Sequence, residues 1–206
     1  MVKDGYFYGL GLLAVAGVEW SVMHSRGLTG IIVLLALFFL WFYRDPERKV
    51  PQEKGLFVSP ADGKVDECEW VETPLGSRVR ISIFLNVFNV HVARTPMEGE
   101  LVESEYRAGA FRNAMDPESV MFNEQMLMVI RNGNVEIGLK LIAGLLARRI
   151  VPYVKPGDKL ERGQRVGVIK FGSRVDVLLP GDAELRVRKG SHVKAGSTVL
   201  ARLKQE

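Results

Sequence analysis

The sequence predicts a mainly β domain, built as a barrel-like β sandwich, that follows an N-terminal pair of hydrophobic helices. Three observations support this fold class. Two long apolar runs lie in the first quarter of the 206 residues, short strand patterns follow them, and the C-terminal quarter contains a glycine-punctuated repeat. A chain of 23.0 kDa is long enough for one ordinary domain with a small appendage.

The two apolar runs cover residues 6–18 and 28–43, and the second ends in an aromatic cluster suited to a lipid headgroup boundary. Because the polar stretch 19–27 between them is short, two antiparallel helices in a hairpin are the simplest geometry. Lys3 precedes this hairpin and three further basic residues follow it, which predicts a cell-membrane anchor with the next domain on the cytoplasmic side. Both runs are shorter than a typical membrane span, so a buried pair of soluble helices is the alternative.

Composition divides the chain into three parts. We expect a membrane-anchoring hairpin over residues 1–45, a charged, proline-containing linker over 46–55 and the main domain over 56–206. The net charge of +4 suits an anionic membrane surface and does not call for a nucleic-acid partner. The single cysteine excludes an internal disulfide, and three scattered histidines predict no metal site.

Strand signals dominate the main domain. The dipeptide Asn132-Gly133 predicts a tight hairpin, because both residues tolerate positive φ. The strands expected from apolar, partly β-branched runs are residues 79–85, 126–131 and 135–141, and short helices are expected at most at 116–122 and 143–149.

The C-terminal quarter contains an approximate internal repeat. Residues 154–166 recur as residues 187–199, and each copy alternates glycine turns with short strands. The pattern resembles biotinyl and lipoyl carrier domains. Neither copy places a lysine at a hairpin tip in the expected setting, so a swinging-arm carrier is not expected.

Four segments together point to one family. They are YRDPER at 43–48, SPADGKV at 59–65, FLNVFNVHVARTP at 84–96 and the pair Gly172-Ser173 between the two repeat copies. In this order they resemble the small archaeal-type and bacterial branch of phosphatidylserine decarboxylase proenzymes. No single segment would suffice.

The resemblance implies that the chain cuts itself between Gly172 and Ser173, giving chains 1–172 and 173–206 that remain together as a heterodimer. It implies a pyruvoyl cofactor made from Ser173, and a lyase that decarboxylates a serine phospholipid, either phosphatidylserine or archaetidylserine, at the membrane. A homodimer is a further expectation. Three other Gly-Ser pairs occur, at 76–77, 190–191 and 196–197, and the first of these is the alternative cleavage site.

The same resemblance assigns roles to individual residues. His91 would act as the base for Ser173 and later as the acid that protonates the product, because histidine is the usual acid–base group near neutral pH. Asp62 would orient the His91 ring and stabilise its charged form. Four arginines are candidates for binding the lipid phosphate, and the sequence does not choose among them: Arg94, Arg148, Arg149 and Arg174.

Two other functions remain open at this point. One is a pyruvoyl decarboxylase of a soluble amino acid, which the predicted membrane hairpin argues against. The other is a non-catalytic membrane adaptor with a carrier-like sandwich, which would need neither His91 nor Asp62.

Overall fold

The computed structural model describes residues 2–73, 76–109, 122–144, 149–169 and 173–204, with Ser173 described through its backbone. These residues form two helices, α1 (Lys3–Val22) and α2 (Arg26–Phe42), and then fourteen strands. The strands are β1 (Leu56–Val58), β2 (Gly63–Thr73), β3 (Gly76–Leu85), β4 (Val92–Arg94), β5 (Gly99–Arg107), β6 (Gln125–Asn132), β7 (Val135–Ala143), β8 (Ile150–Pro152), β9 (Lys159–Leu160), β10 (Arg165–Ile169), β11 (Ser173–Pro180), β12 (Glu184–Leu185), β13 (His192–Val193) and β14 (Val199–Arg202). A mainly β fold with two N-terminal helices is thereby confirmed.

The helices belong to a compact unit, Met1–Glu47. They run antiparallel, since the Val2 N–H donates to the Tyr43 carbonyl over 3.1 Å. Gly9 faces Leu40 without room for a side chain. Among the residues that the structure describes, no helix combines the length and the apolarity of a membrane span.

The turn between the helices is shorter than the polar stretch 19–27 suggested. The polar side chains cap the helix ends instead of lengthening the loop. Ser25 accepts a hydrogen bond from the Leu28 N–H, as an N-cap residue does. The Glu19 carboxylate accepts from the Ser25 N–H over 3.3 Å and from the Thr29 hydroxyl.

All strands lie in a second unit, Arg48–Glu206. The predicted hairpin is confirmed: β6 and β7 pair from Asn132 and Val135 onward, and Gly133 has φ 58°. The helices expected at 116–122 and 143–149 fall largely outside the described residues, although Ala143 itself ends β7.

Eight strands form one antiparallel sheet in the order β13-β2-β3-β11-β7-β6-β5-β9. Two three-stranded sheets, β1-β14-β12 and β4-β10-β8, accompany it. The same pattern occurs on both sides of the β11–β7 pair: β13-β2-β3-β11 corresponds to β9-β5-β6-β7, and β1-β14-β12 corresponds to β4-β10-β8. We call β4–β10 the inserted half and β1–β3 with β11–β14 the outer half, because the chain leaves the outer half after β3 and returns to it at β11.

Equivalent contacts in the two halves support this division. The Val58 N–H donates to the Pro96 carbonyl, and the Arg94 N–H donates to the Pro60 carbonyl, each over 2.9 Å. The ladder of β2 with β3 is bulged between Val65 and Glu67, and the ladder of β5 with β6 is bulged at the equivalent place, after Leu101. The fold is therefore a duplication in which one half is inserted into the other.

The C-terminal repeat supplies matching turns to the two halves. Gly157 and Gly190 have φ of 92° and 93°, and Gly163 and Gly196 have φ of 75° and 70°. This left-handed region is readily adopted by glycine alone, which explains the glycines of both copies. Fully buried aliphatic side chains of β3, β7 and β11 belong to one hydrophobic core cluster.

Candidate active site

The candidate site lies where the chain returns to the outer half. Ser173 opens β11 and is paired in the ladder with Leu85 at the end of β3 and with Ala143 at the end of β7. β11 is thus an interior strand from its first residue. Gly172 lies outside the described residues.

His91 lies just before β4 and is 2% exposed. Its carbonyl accepts a hydrogen bond from the Ile169 N–H over 3.1 Å, which ties it to the last residue of β10. Ser173 follows Ile169 by four positions, so their Cα atoms are at most about 14 Å apart. The backbone of His91 therefore lies within a few residues of the candidate serine along β10 and β11.

The ring of His91 has a defined tautomer. Its Nδ1 atom lies 2.9 Å from the carbonyl oxygen of Asn89. A carbonyl oxygen can only accept, so Nδ1 carries the proton and Nε2 of the neutral ring holds the lone pair. Nε2 is then the nitrogen that can take up a proton.

Asp62 lies at the same end of the sheet, one residue before β2. Its carboxylate oxygens accept hydrogen bonds from Nη2 of Arg48 over 2.9 and 2.8 Å, and Oδ1 also accepts from the Ala195 N–H over 2.8 Å. In the described part of the chain its hydrogen bonds go to these groups and not to His91. The ring of His91 is oriented by a backbone carbonyl, and a role of Asp62 towards it stays a prediction.

The four candidate arginines differ in exposure. Arg94 is buried, and its Nη1 donates to the Gly163 carbonyl over 3.0 Å. Arg174 is buried among acidic side chains. Arg149 is exposed, and Arg148 lies outside the described residues. This geometry favours Arg149 for contact with a ligand and gives Arg94 and Arg174 a structural setting.

Two residues of the site were missed in the sequence analysis. Asn123 is fully buried and donates from Nδ2 to the carbonyl of Ala143, the ladder partner of Ser173. The Glu124 carbonyl accepts from the Ala143 N–H, and its carboxylate accepts from the Ile150 N–H, each over 2.9 Å. The only sequence signal was a polar pair placed directly before an apolar strand.

The alternative Gly-Ser pair is far from this end of the sheet. Gly76 has φ 90° and closes the β2–β3 hairpin opposite Thr73. Ser77 is eight residues from Leu85 along β3, which corresponds to about 27 Å of extended strand. Gly76-Ser77 thus lies at the opposite end of β3 from the site.

Within the described ranges, no three His, Cys, Asp or Glu side chains are grouped to hold a metal ion.

A buried histidine of fixed tautomer near the start of an interior strand is an arrangement that an acid–base enzyme can use. Comparison with known proteins identifies the family. The family model for phosphatidylserine decarboxylase matches residues 35–201. A phosphatidylserine decarboxylase proenzyme of Symbiobacterium thermophilum is 43% identical over 209 residues, covering 100% of this chain and 96% of that protein.

Two further proenzymes of the same name show a similar likeness. The protein of Solibacter usitatus is 43% identical and covers 98% of this chain and 96% of its own length. The protein of Erythrobacter litoralis is 44% identical and covers 97% of this chain and 86% of its own length. The chain belongs to the phosphatidylserine decarboxylase family, and it is an enzyme, as the sequence motifs predicted.

Proposed function

We propose that the chain is a self-processing, pyruvoyl-dependent decarboxylase that converts a serine phospholipid to the ethanolamine phospholipid at a membrane. The observation that carries this proposal is the position of Ser173 at the first residue of β11, at the sheet end that also receives His91. The names of the relatives support the reaction, and the word proenzyme in those names supports processing.

Processing begins with Ser173. His91 takes the hydroxyl proton, Oγ attacks the carbonyl carbon of Gly172, and the peptide nitrogen leaves with a proton, so an ester replaces the amide. Loss of the α-proton of residue 173 then expels the Gly172 carboxylate and leaves a dehydroalanine. Addition of water with release of ammonia gives the pyruvoyl group.

Strand pairing would keep the two product chains together after the cut. β11 is held on one side by β3 and on the other by β7, and β13 and β14 pair with β2 and β1. The strands of the shorter product chain therefore remain hydrogen-bonded to the longer chain after the cut. We expect the two chains to stay together as a heterodimer.

A pyruvoyl group at residue 173 would supply the ketone that binds a primary amine and the electron sink that decarboxylation needs. His91 then delivers the proton to the α-carbon from Nε2. The 2% exposure of His91 keeps bulk water from competing with this transfer.

The membrane anchor and the lipid-binding residues are proposed from the chemistry of exposed side chains. The helices α1 and α2 expose large apolar side chains, among them Phe7, Ile31 and Leu34, and we propose that they anchor the enzyme to the bilayer. The basic residues around them favour the cytoplasmic side.

The exposed Arg149 and the neighbouring Arg148 are the candidates for the lipid phosphate. Diacyl and archaeal ether lipids carry the same headgroup, so archaetidylserine is an equal candidate.

The test uses the full-length enzyme with vesicles of phosphatidylserine, with archaetidylserine vesicles in parallel. We expect ethanolamine phospholipid and carbon dioxide, loss of both with Ser173→Ala, and slower processing with His91→Ala. Soluble phosphoserine at equal concentration serves as the control substrate. Equal turnover of phosphoserine would contradict a membrane enzyme, and turnover by Ser173→Ala would contradict the pyruvoyl mechanism.

A further inference from the structure

A charged cluster occupies the sheet face beside the start of β11. The ladder aligns four polar residues in one row across β2, β3, β11 and β7, namely Glu67, Ser82, Asp176 and Lys140. Arg174 lies two residues before Asp176 on β11, so both side chains lie on this face. Arg174 is the residue directly after the candidate cofactor.

Arg174 makes three short contacts within the cluster. Its Nε donates to Asp176 over 2.8 Å, and its Nη2 donates to Glu67 over 2.6 Å and to the Ser82 hydroxyl over 2.7 Å. Its Nη1 lies 3.8 Å from Asp66. One guanidinium therefore links the beginning of β11 to both β3 and β2.

Burial makes these contacts strong. The side chains of Arg174 and Asp176 are 3% and 4% exposed. Burial alone would raise the pKa of Glu67, but the hydrogen bond and the charge of Arg174, with Arg80 and Lys189, hold this pKa below its usual value. A buried charge that loses its partner is costly, so removal of the Arg174 guanidinium should destabilise the folded protein.

The inserted half offers an internal comparison. Its corresponding ladder begins at Asn132 and Val135, as the outer ladder begins at Leu85 and Ser173. Counting from these pairs, Glu136 corresponds to Arg174.

The rest of the outer row also has counterparts. Gly138 corresponds to Asp176 and Val129 to Ser82, while Glu103 corresponds to Glu67. The inserted half has the same strands and the same bulge, yet Val102 takes the place of Asp66. The basic–acidic cluster thus accompanies the half that contains Ser173 and is not a requirement of the fold.

Processing creates a need that such a cluster meets. The cut removes the covalent link before residue 173, and conversion to pyruvoyl removes the N–H of that residue. The strand end loses one restraint and one hydrogen-bond donor at the position where the cofactor must be held. The side chain of the next residue is the first anchor that remains.

We propose that Arg174 is a positioning residue that holds the processed end of β11, and with it the pyruvoyl group, in register with β3 and β7. The inference rests on the proposed function. In this role Arg174 binds other side chains of the protein and does not bind the lipid phosphate.

The test compares Arg174→Met in two backgrounds, the processed enzyme and the uncleaved Ser173→Ala protein. We expect the loss in Tm to be larger in the processed form by roughly 5 °C or more. The kcat of the processed variant should fall on the order of 10- to 100-fold with KM nearly unchanged, because a small misplacement of a reacting group is costly. Arg174→Lys, which keeps one charged contact, should restore part of both.

Arg80→Met is the matched control, since Arg80 also pairs with Glu67, over 3.2 Å, but from the middle of β3. It should lower Tm equally in both backgrounds and leave kcat within about twofold. If Arg174→Met does not fold, Arg174→Lys and Glu67→Gln are compared in the same way.

Equal losses in both backgrounds, or a change in KM alone, would overturn the positioning role. Absence of cleavage in the wild-type protein would instead refute the proposed function, and this inference with it.

Discussion

Nδ1 of His91 lies 2.9 Å from the carbonyl oxygen of Asn89. A backbone carbonyl thus does what a carboxylate does in a serine hydrolase triad, in that it fixes which ring nitrogen carries the proton. The turn that supplies this carbonyl is itself ordered, since the Asn89 side chain accepts from the Asn86 N–H over 2.9 Å.

The first prediction concerns this tautomer. In the uncleaved Ser173→Ala protein, nitrogen NMR of labelled histidine should show neutral His91 protonated at Nδ1. The exposed His192 is the control and should show the tautomer mixture of a solvated ring. A neutral His91 protonated at Nε2 would contradict the acceptor role of Asn89.

The second prediction compares two ion pairs that hold equivalent turns. Arg48 contacts both oxygens of Asp62 through Nη2 alone, whereas Arg162 binds Glu98 through Nε and Nη2 in a fork of 2.9 and 3.0 Å. A lysine can replace a single nitrogen but not a fork. Arg48→Ala should therefore cost about 2–3 kcal/mol and Arg48→Lys less than half of this, while Arg162→Lys should resemble Arg162→Ala.

Denaturant unfolding of the four variants measures these costs, and the rate of self-cleavage supplies a second measurement. We expect slower cleavage for Arg48→Ala than for Arg162→Ala, because Asp62 lies at the sheet end of Ser173. Equal cleavage rates of Arg48→Ala and Arg162→Ala at equal folded fractions would show that the Arg48–Asp62 pair has no role in the site.

The third prediction concerns Asn123, which donates to the Ala143 carbonyl from a fully buried position. Asn123→Ala removes a buried donor and should cost about 1–3 kcal/mol. Because Ala143 pairs with Ser173, cleavage should slow as well. Asn123→Gln is the control that keeps the amide with a longer side chain. An Asn123→Ala protein with unchanged stability would show that the bond contributes nothing.

The fourth prediction is a pH dependence. The contacts of Glu67 with Arg174 and Arg80 lower its pKa in the folded protein, so they stabilise the fold fully above the unfolded-state pKa of about 4.3. This stabilisation should disappear as the pH falls from there through the lower folded-state pKa. The Tm difference between wild type and Glu67→Gln should be constant above about pH 5.5 and shrink towards zero in acid. A difference that grows in acid would contradict the ion pair.

Local signals in the sequence were sufficient for part of the fold. The Asn132-Gly133 hairpin was predicted because the turn chemistry lies within two residues. The glycines of the C-terminal repeat also have a local cause, namely positive φ.

Long-range features escaped prediction. Segments 59–63 (SPADG) and 95–99 (TPMEG) form equivalent turns and share proline and glycine at matching positions. A match of five residues is too short to reveal a duplication by itself, and the reciprocal hydrogen bonds make it evident. Arg48 was assigned to the charged, proline-containing linker 46–55, and its pairing with Asp62 was not predicted. Two partners of Arg174, Ser82 and Glu67, are 92 and 107 residues distant in the sequence, and pairing at that range is set by sheet register.

The central claim is the cut between Gly172 and Ser173, and intact mass of the purified full-length protein tests it most directly. We predict two chains, the smaller being the 34 residues from 173 to 206 with a pyruvoyl group in place of the serine. Ser173→Ala should remain a single chain. A wild-type enzyme that decarboxylates serine phospholipid as one uncut chain, or that is cut at Gly76-Ser77, would contradict the account.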